Sequence, residues 1–288
     1  MKKGIRILSV ALVGIFALGL YVYSAAHGYR VTNLTFTTPS LKNGEAPYQY
    51  KGMLYEPGDF KAKHPVIIIA HGYNSSMANC EDAAVKYNEA GYAVVLFDFV
   101  GGSRKSTTRV HSKDMTTVTE VTDMERVLEW VKKQKRFDQS NVFLSGQSFG
   151  GLIATMCASR NQDEIRGLVL YYPAYNMVEQ AGDYLKKAER TDGLVPWDGL
   201  LVSERYLKEL HSLDIKKVIR SLTKTDAIIM QGDSDTEVPL ESTEEFVPYF
   251  PQVRLVKIIG GEHGFSGTQL EQACKESVGF MNTHLASS

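Results

Sequence analysis

The sequence has almost no surplus charge and very little cysteine. Its 32 lysines and arginines stand against 33 aspartates and glutamates, for a formal net charge of -1. No basic run and no basic-aromatic interleaving stands out, so nothing supports a nucleic-acid partner. The three cysteines are Cys80, Cys157 and Cys274. Their spacing fits neither a zinc site nor a C-x-x-C pair. An exported chain has the option of pairing two and leaving one. Cys157 lies in an apolar helical stretch and reads as a small core residue. Internal repeats and low-complexity tracts are also missing, so a repeat architecture is excluded.

What is present is ordinary in bulk and specific in places. The chain has 288 residues, and 43% are hydrophobic. That is enough for one α/β domain with an insertion, or two small domains. The start is distinctive. Lys2, Lys3 and Arg6 precede an apolar run from Ile7 to Val22, and Ser24-Ala25-Ala26 offers small residues at the -3 and -1 positions of a signal-peptidase site. The run is about 16 residues, short for a spanning helix but usable as an uncleaved anchor. Tyr21 and Tyr23 suit the interface. Residues 1–26 therefore read as a signal peptide or an N-terminal membrane anchor, with possible membrane contact through 7–23. Either outcome places the domain at 27–288 outside the cytoplasm.

Strands and helices then alternate. Tyr29–Thr38 and Tyr48–Tyr55 flank the turn Lys42-Asn43-Gly44-Glu45 and read as an antiparallel pair. Pro65–Ala70 and Tyr92–Phe99 are continuous apolar runs suited to strands buried on both faces. Helical spacing marks about 77–89 and 118–133. Strands are expected at Asn141–Gly146, Ile165–Tyr172, Thr225–Gly232 and Val253–Ile259, and helices at 149–160 and 269–284. Such alternation implies a mostly parallel sheet covered by helices on both faces. The exception is 174–224, about 50 residues and too long for a simple crossover. Helical pieces near 176–188 and 200–210, with exposed-looking Tyr184, Trp197 and Tyr206, make it an expected cap over the site.

Three strand ends carry chemistry. Gly146-Gln147-Ser148-Phe149-Gly150 is a G-x-S-x-G sequence with a strand before it and a helix after. A nucleophile on such a turn is exposed, and side chains at the flanking glycines would collide with neighbours. Gly232-Asp233-Ser234-Asp235 follows a second strand, and Gly261-Glu262-His263-Gly264 the last. Serine needs a base, and imidazole suits neutral pH. His263 is the candidate; His27, His64, His111, His211 and His284 lack a strand-end glycine loop. An acid must orient the imidazole. Asp235 is preferred over Asp233, which suits a hydrogen bond within its turn. Oxyanion donors are expected from the N–H of Phe149 and of Tyr73, in His71-Gly72-Tyr73. His71 and Asp98 are expected to be structural.

With these residues the chain, from about Tyr48 onward, resembles the serine hydrolases of the α/β-hydrolase superfamily. The marks are His71-Gly72-Tyr73, Asp98 with its glycine-rich loop, Gly146–Gly150, Gly232–Asp235 with Val238-Pro239, and Gly261–Phe265. It is similar to cinnamoyl/feruloyl esterases and to acylaminoacyl-peptidase-like and monoacylglycerol-lipase-like branches. The resemblance implies two-step acyl transfer on a small-molecule ester, with no metal or cofactor, and an inserted cap shaping the acyl pocket. Tyr184, Trp197 and Leu200 are candidates to hold an aromatic or medium acyl chain. Gln147-Ser148-Phe149 departs from the His-Ser-Gln of many such esterases and implies a more apolar pocket floor. A peptidase on the same triad and a catalytically silent binding protein are the alternatives.

Overall fold

A computed structural model describes residues 28–40, 47–103, 112–187 and 192–286. The leader at 1–26 and the Lys42–Glu45 turn lie outside the described residues. In chain order the strands are β1 (Tyr29–Thr38), β2 (Tyr48–Pro57), β3 (His64–Ala70), β4 (Ala93–Phe97), β5 (Phe137–Gln147), β6 (Gly167–Tyr171), β7 (Leu194–Trp197), β8 (Leu200–Ser203), β9 (Asp226–Gly232) and β10 (Val253–Ile258). The helices are α1 (Glu81–Glu89), α2 (Thr117–Lys133), α3 (Phe149–Arg160), α4 (Met177–Lys187), α5 (Glu204–His211), α6 (Ile215–Arg220), α7 (Leu240–Phe246) and α8 (Gly267–Thr283).

Eight strands form one sheet in the order β1-β2-β4-β3-β5-β6-β9-β10. β1 pairs with β2, and β2 with β4, antiparallel; from β4 to β10 every pairing is parallel. Burial of both faces explains the unbroken apolar runs. Val66, Ile68 and Ala70 of β3 join Val142 and Leu144 of β5 and Val121 and Met124 of α2 in one core. Ile67 and Ile69 alternate with them and join Tyr87 of α1 and Ala273 and Met281 of α8 in a second core. Successive side chains point to opposite faces, so a strand covered on both sides must be apolar at every position. Helix α2 starts sharply because Thr116 and Thr119 form a reciprocal capping box.

The stretch at 174–224 differs from its sequence expectation. Of the 200–210 segment expected to be helical, Leu200–Ser203 is instead strand β8, paired with β7 in a hairpin, and the helix α5 begins only at Glu204. Trp197 and Tyr206, expected to be exposed, are buried; Tyr184 alone of the three is open, at 39%. The hairpin lies against the loop after β3, where the Trp197 ring packs on Tyr73 with centroids 5.1 Å apart. All three cysteines are free and buried, so none is paired. Among the described residues no helix is long and apolar enough to cross a membrane.

Candidate active site

Ser148 is the single residue between β5 and α3. Its backbone has φ +52, a left-handed conformation that costs a non-glycine residue about 1–3 kcal/mol. Neighbours hold it there. The Ser148 N–H donates to the Tyr171 carbonyl (2.9 Å), and the Ser148 carbonyl accepts from the N–H groups of Gly151 (2.9 Å) and Ala174 (3.0 Å). The flanking glycines are sterically required. A Cβ on Gly146 would run into the Gly150 carbonyl, and one on Gly150 into the carbonyls of Ala70 and His71.

Asp235 and His263 come together because their loops are laced to each other. The Gly260 N–H donates to the Asp233 carboxylate (2.7 Å), and the Ser234 N–H to the Gly261 carbonyl (3.0 Å). A Cβ on Gly232 would strike Gly261, so the two chains touch backbone to backbone. Asp233 thus fastens one loop to the next, as well as lying beside its own turn. Asp235 does the orienting: His263 Nδ1–H donates to Asp235 Oδ2 at 2.8 Å. The other carboxylate oxygen accepts from the N–H groups of Glu237 and Val238, both at 2.9 Å. The Asp235 side chain is fully enclosed, while His263 is 18% exposed. Burial pushes the Asp235 carboxyl up, but the hydrogen bonds from His263 and the two backbone donors, with the His263 charge, outweigh it and hold the group below its ordinary value. An ionised carboxylate only accepts hydrogen bonds, so His263 Nδ1 carries a proton in either charge state, and in the neutral imidazole Nε2 is the nitrogen with the lone pair.

Gly72 lies against the nucleophile: a Cβ there would stand 3.2 Å from Ser148 Cβ and 3.7 Å from its Oγ. This sets the Tyr73 backbone beside Ser148. Phe149, as the first residue of α3, has an N–H with no intrahelical acceptor. His71 is buried and structural. The Phe99 N–H donates to its Nε2 (3.2 Å), so its Nδ1–H donates to the Gly72 carbonyl (2.8 Å). Burial lowers its pKa and keeps it neutral. Asp98 accepts the Met77 N–H at 2.8 Å.

Ser148 and His263 line one cavity of about 1010 Å³ together with Tyr73 and residues of the 174–224 insert, among them Met177, Tyr184 and Trp197. Leu200 is buried and does not line it. Phe149 does not line the cavity and packs on Tyr73 and Tyr206, with ring centroids at 5.8 and 6.4 Å; of the turn, Gln147 and Ser148 line it. Sequence reading did not find Tyr172 or Glu237. The Tyr172 ring packs on His263 with centroids 4.6 Å apart, from a backbone at φ +37. Glu237 Oε2 lies 3.6 Å from His263 Nε2. Neither belongs to a local pattern; only position after a strand end marks them.

The fold is that of the α/β-hydrolases. It superposes with a TM-score of 0.74 on the ferulic-acid-bound Est1E of Butyrivibrio proteoclasticus, at 24% identity over 83% of this chain and 97% of that one. It matches the α/β-hydrolase GrgF of Penicillium sp. sh18 with a TM-score of 0.68, at 17% identity, over 89% and 99%. The human acylamino-acid-releasing enzyme is 25% identical over 258 residues, 84% of this chain and 35% of that protein. The chain spans about a third of the length of the curated relatives it matches. The family model described as serine aminopeptidase, S33, matches residues 61–232, more than half of the sequence, and the chain belongs to that family of hydrolases.

Proposed function

We propose that the chain cleaves carboxylic esters through an acyl-enzyme, with Ser148, His263 and Asp235 as its triad. The observation that carries this reading is the Asp235–His263 hydrogen bond, in the cavity that also holds Ser148. Asp235 fixes the tautomer, so Nε2 is the atom that takes the Ser148 proton as the hydroxyl attacks the ester carbonyl. The negative oxygen of the tetrahedral intermediate receives the N–H groups of Tyr73 and Phe149. His263 then gives its proton to the departing alcohol. A water then attacks the acyl carbon as His263 removes its proton, the bond from Ser148 Oγ to the acyl carbon breaks, and His263 returns the proton to Oγ as the acid leaves. The chemistry asks for no metal or cofactor. The 174–224 insert acts as a cap, with Tyr184 and Trp197 facing the acyl group.

A second reading has its own support. The family description names an aminopeptidase. Asp82, Asp183, Asp198 and Glu237 all line the cavity and suit the ammonium of an amino-acid substrate. Rates on p-nitrophenyl esters of graded chain length, set against aminoacyl p-nitroanilides, decide between them. Ester turnover exceeding anilide turnover by about 100-fold or more supports the first reading; the reverse order overturns it. We also propose export directed by residues 1–26, tested by fractionating cells and sequencing the mature N-terminus. A chain retained in the cytoplasm overturns that proposal.

A further inference from the structure

The insert is tied to the loop that carries Tyr73. The Tyr73 hydroxyl donates to the Trp197 carbonyl at 3.2 Å, and the Asn74 side-chain amide donates to the Asp198 carbonyl at 3.1 Å. Two consecutive loop residues therefore bond two consecutive residues of the β7–β8 hairpin. The hairpin is stiff for a local reason. Its two-residue turn, Asp198-Gly199, has φ +38 and +82, the doubly positive combination that matches strand twist. It is anchored on its other strand as well, where the Ser112 hydroxyl donates to the Leu201 carbonyl at 2.7 Å. The Tyr73 ring packs on Trp197 (centroids 5.1 Å apart) and on Phe149 (5.8 Å). Asn74 sits at φ +49, so the chain turns left-handed directly after Tyr73. Its amide bond to the hairpin offsets part of the cost of that conformation.

We infer that the β7–β8 hairpin is a positioning element of the oxyanion site: its carbonyls at Trp197 and Asp198 hold the Tyr73–Asn74 backbone so that the Tyr73 N–H meets the developing oxyanion. This rests on the reading of Ser148 and Tyr73 given above. The hairpin then acts on kcat, even for substrates too small to reach it. A wall for the acyl group acts differently: it changes KM for large acyl chains and leaves a short one unaffected. The distinction matters because a displacement of about 1 Å in a reacting arrangement costs on the order of 100-fold. A loop held from outside by two hydrogen bonds and a ring stack resists that displacement.

Two variants separate these roles. Tyr73→Phe removes one oxygen and keeps both ring contacts. Asn74→Gly removes the amide and accepts the left-handed backbone without steric cost. The substrate is p-nitrophenyl acetate, and the second probe is a short methyl-alkyl ketone bearing a trifluoromethyl group, which Ser148 converts to a hemiketal alkoxide. Each variant should lower kcat about 5- to 10-fold with KM within about twofold. The inhibition constant of the ketone should rise by the same factor, because the adduct resembles the transition state. Melting temperatures taken alongside separate misfolding from mispositioning, and Asn74→Gly stands as the test if Tyr73→Phe fails to fold. Unchanged kcat and ketone affinity in folded variants, or a change in KM alone, overturns the inference and leaves the triad reading intact. A wild-type protein that neither turns over the acetate nor binds the ketone overturns the triad reading, and this one with it.

Discussion

The nucleophile turn and the 174–224 insert border the same cavity but are built on different principles. At the turn, geometry is set by backbone contacts. Glycines at 146 and 150 let chains touch, and Ser148 is strained at φ +52 between three backbone hydrogen bonds. In the insert, apart from the two hairpin carbonyls that hold Tyr73 and Asn74, contacts with the site are made by side chains. Trp197, Tyr206 and Tyr184 stack among themselves and on Tyr73 and Phe149. Backbone-defined chemistry tolerates no variation and acts on every substrate alike. A side-chain lining can change by repacking, so it is the natural place for selectivity.

The comparison breaks first at the turn. Ser148→Ala should lower turnover about 10⁶-fold on every ester tested, since the remaining groups act only through binding and oxyanion stabilisation. Steady-state rates on a short and a long ester check both the size and the uniformity. Asp235→Asn should cost about 10⁴-fold, because the amide can donate to His263 and turn the imidazole to the wrong tautomer. A loss below about tenfold would remove Asp235 from the triad. In the insert, Tyr184→Ala should raise KM about 3- to 10-fold for aromatic acyl esters and leave acetyl esters within twofold. An equal effect on both would erase the contrast between the two regions.

The smallest effect is on stability. Asp123 is buried in α2, accepts the Val100 N–H at 2.9 Å, and lies near the buried carboxyl of Glu120. Burial pushes its pKa up to about 7 against the pull of the Val100 and Thr38 donors. The native state therefore keeps a proton that the unfolded chain releases near pH 4. Stability conferred by that proton is complete below about pH 4, declines as pH rises to about 7, and is level above. Asp123→Asn removes the part of the slope that Asp123 contributes beside the likewise raised Glu120. Its melting temperature relative to wild type should rise by about 3–6 °C between pH 5 and pH 8. A constant difference across that range would contradict the assignment. Asp235 has the opposite sign. Its pKa is held low, so its contribution is present above the unfolded value and is lost as pH falls through the folded one.

Much of this molecule is legible in its sequence because its signals are local. Unbroken apolar runs marked β3 and β4, and helical spacing marked α2. Glycines at strand ends marked the positions that came to hold Ser148, Asp235 and His263. The hairpin at 194–203 was not legible, although Asp198-Gly199 is a turn signal. Its strands are four residues each, and Pro196 interrupts the strand pattern. A two-stranded hairpin of that length owes its existence to the packing of Trp197 and Val202 on the domain, which no local pattern reports. The Tyr172 stack and the approach of Glu237 to His263 are likewise products of tertiary placement.

The most direct test is covalent. A fluorophosphonate is incubated with the full protein, and the modified peptide is mapped by mass spectrometry. The wild type should carry one adduct, on Ser148, and His263→Ala should slow its formation by at least about 100-fold. Labelling at a different serine, no labelling at all, or an unchanged rate without the imidazole would contradict the account.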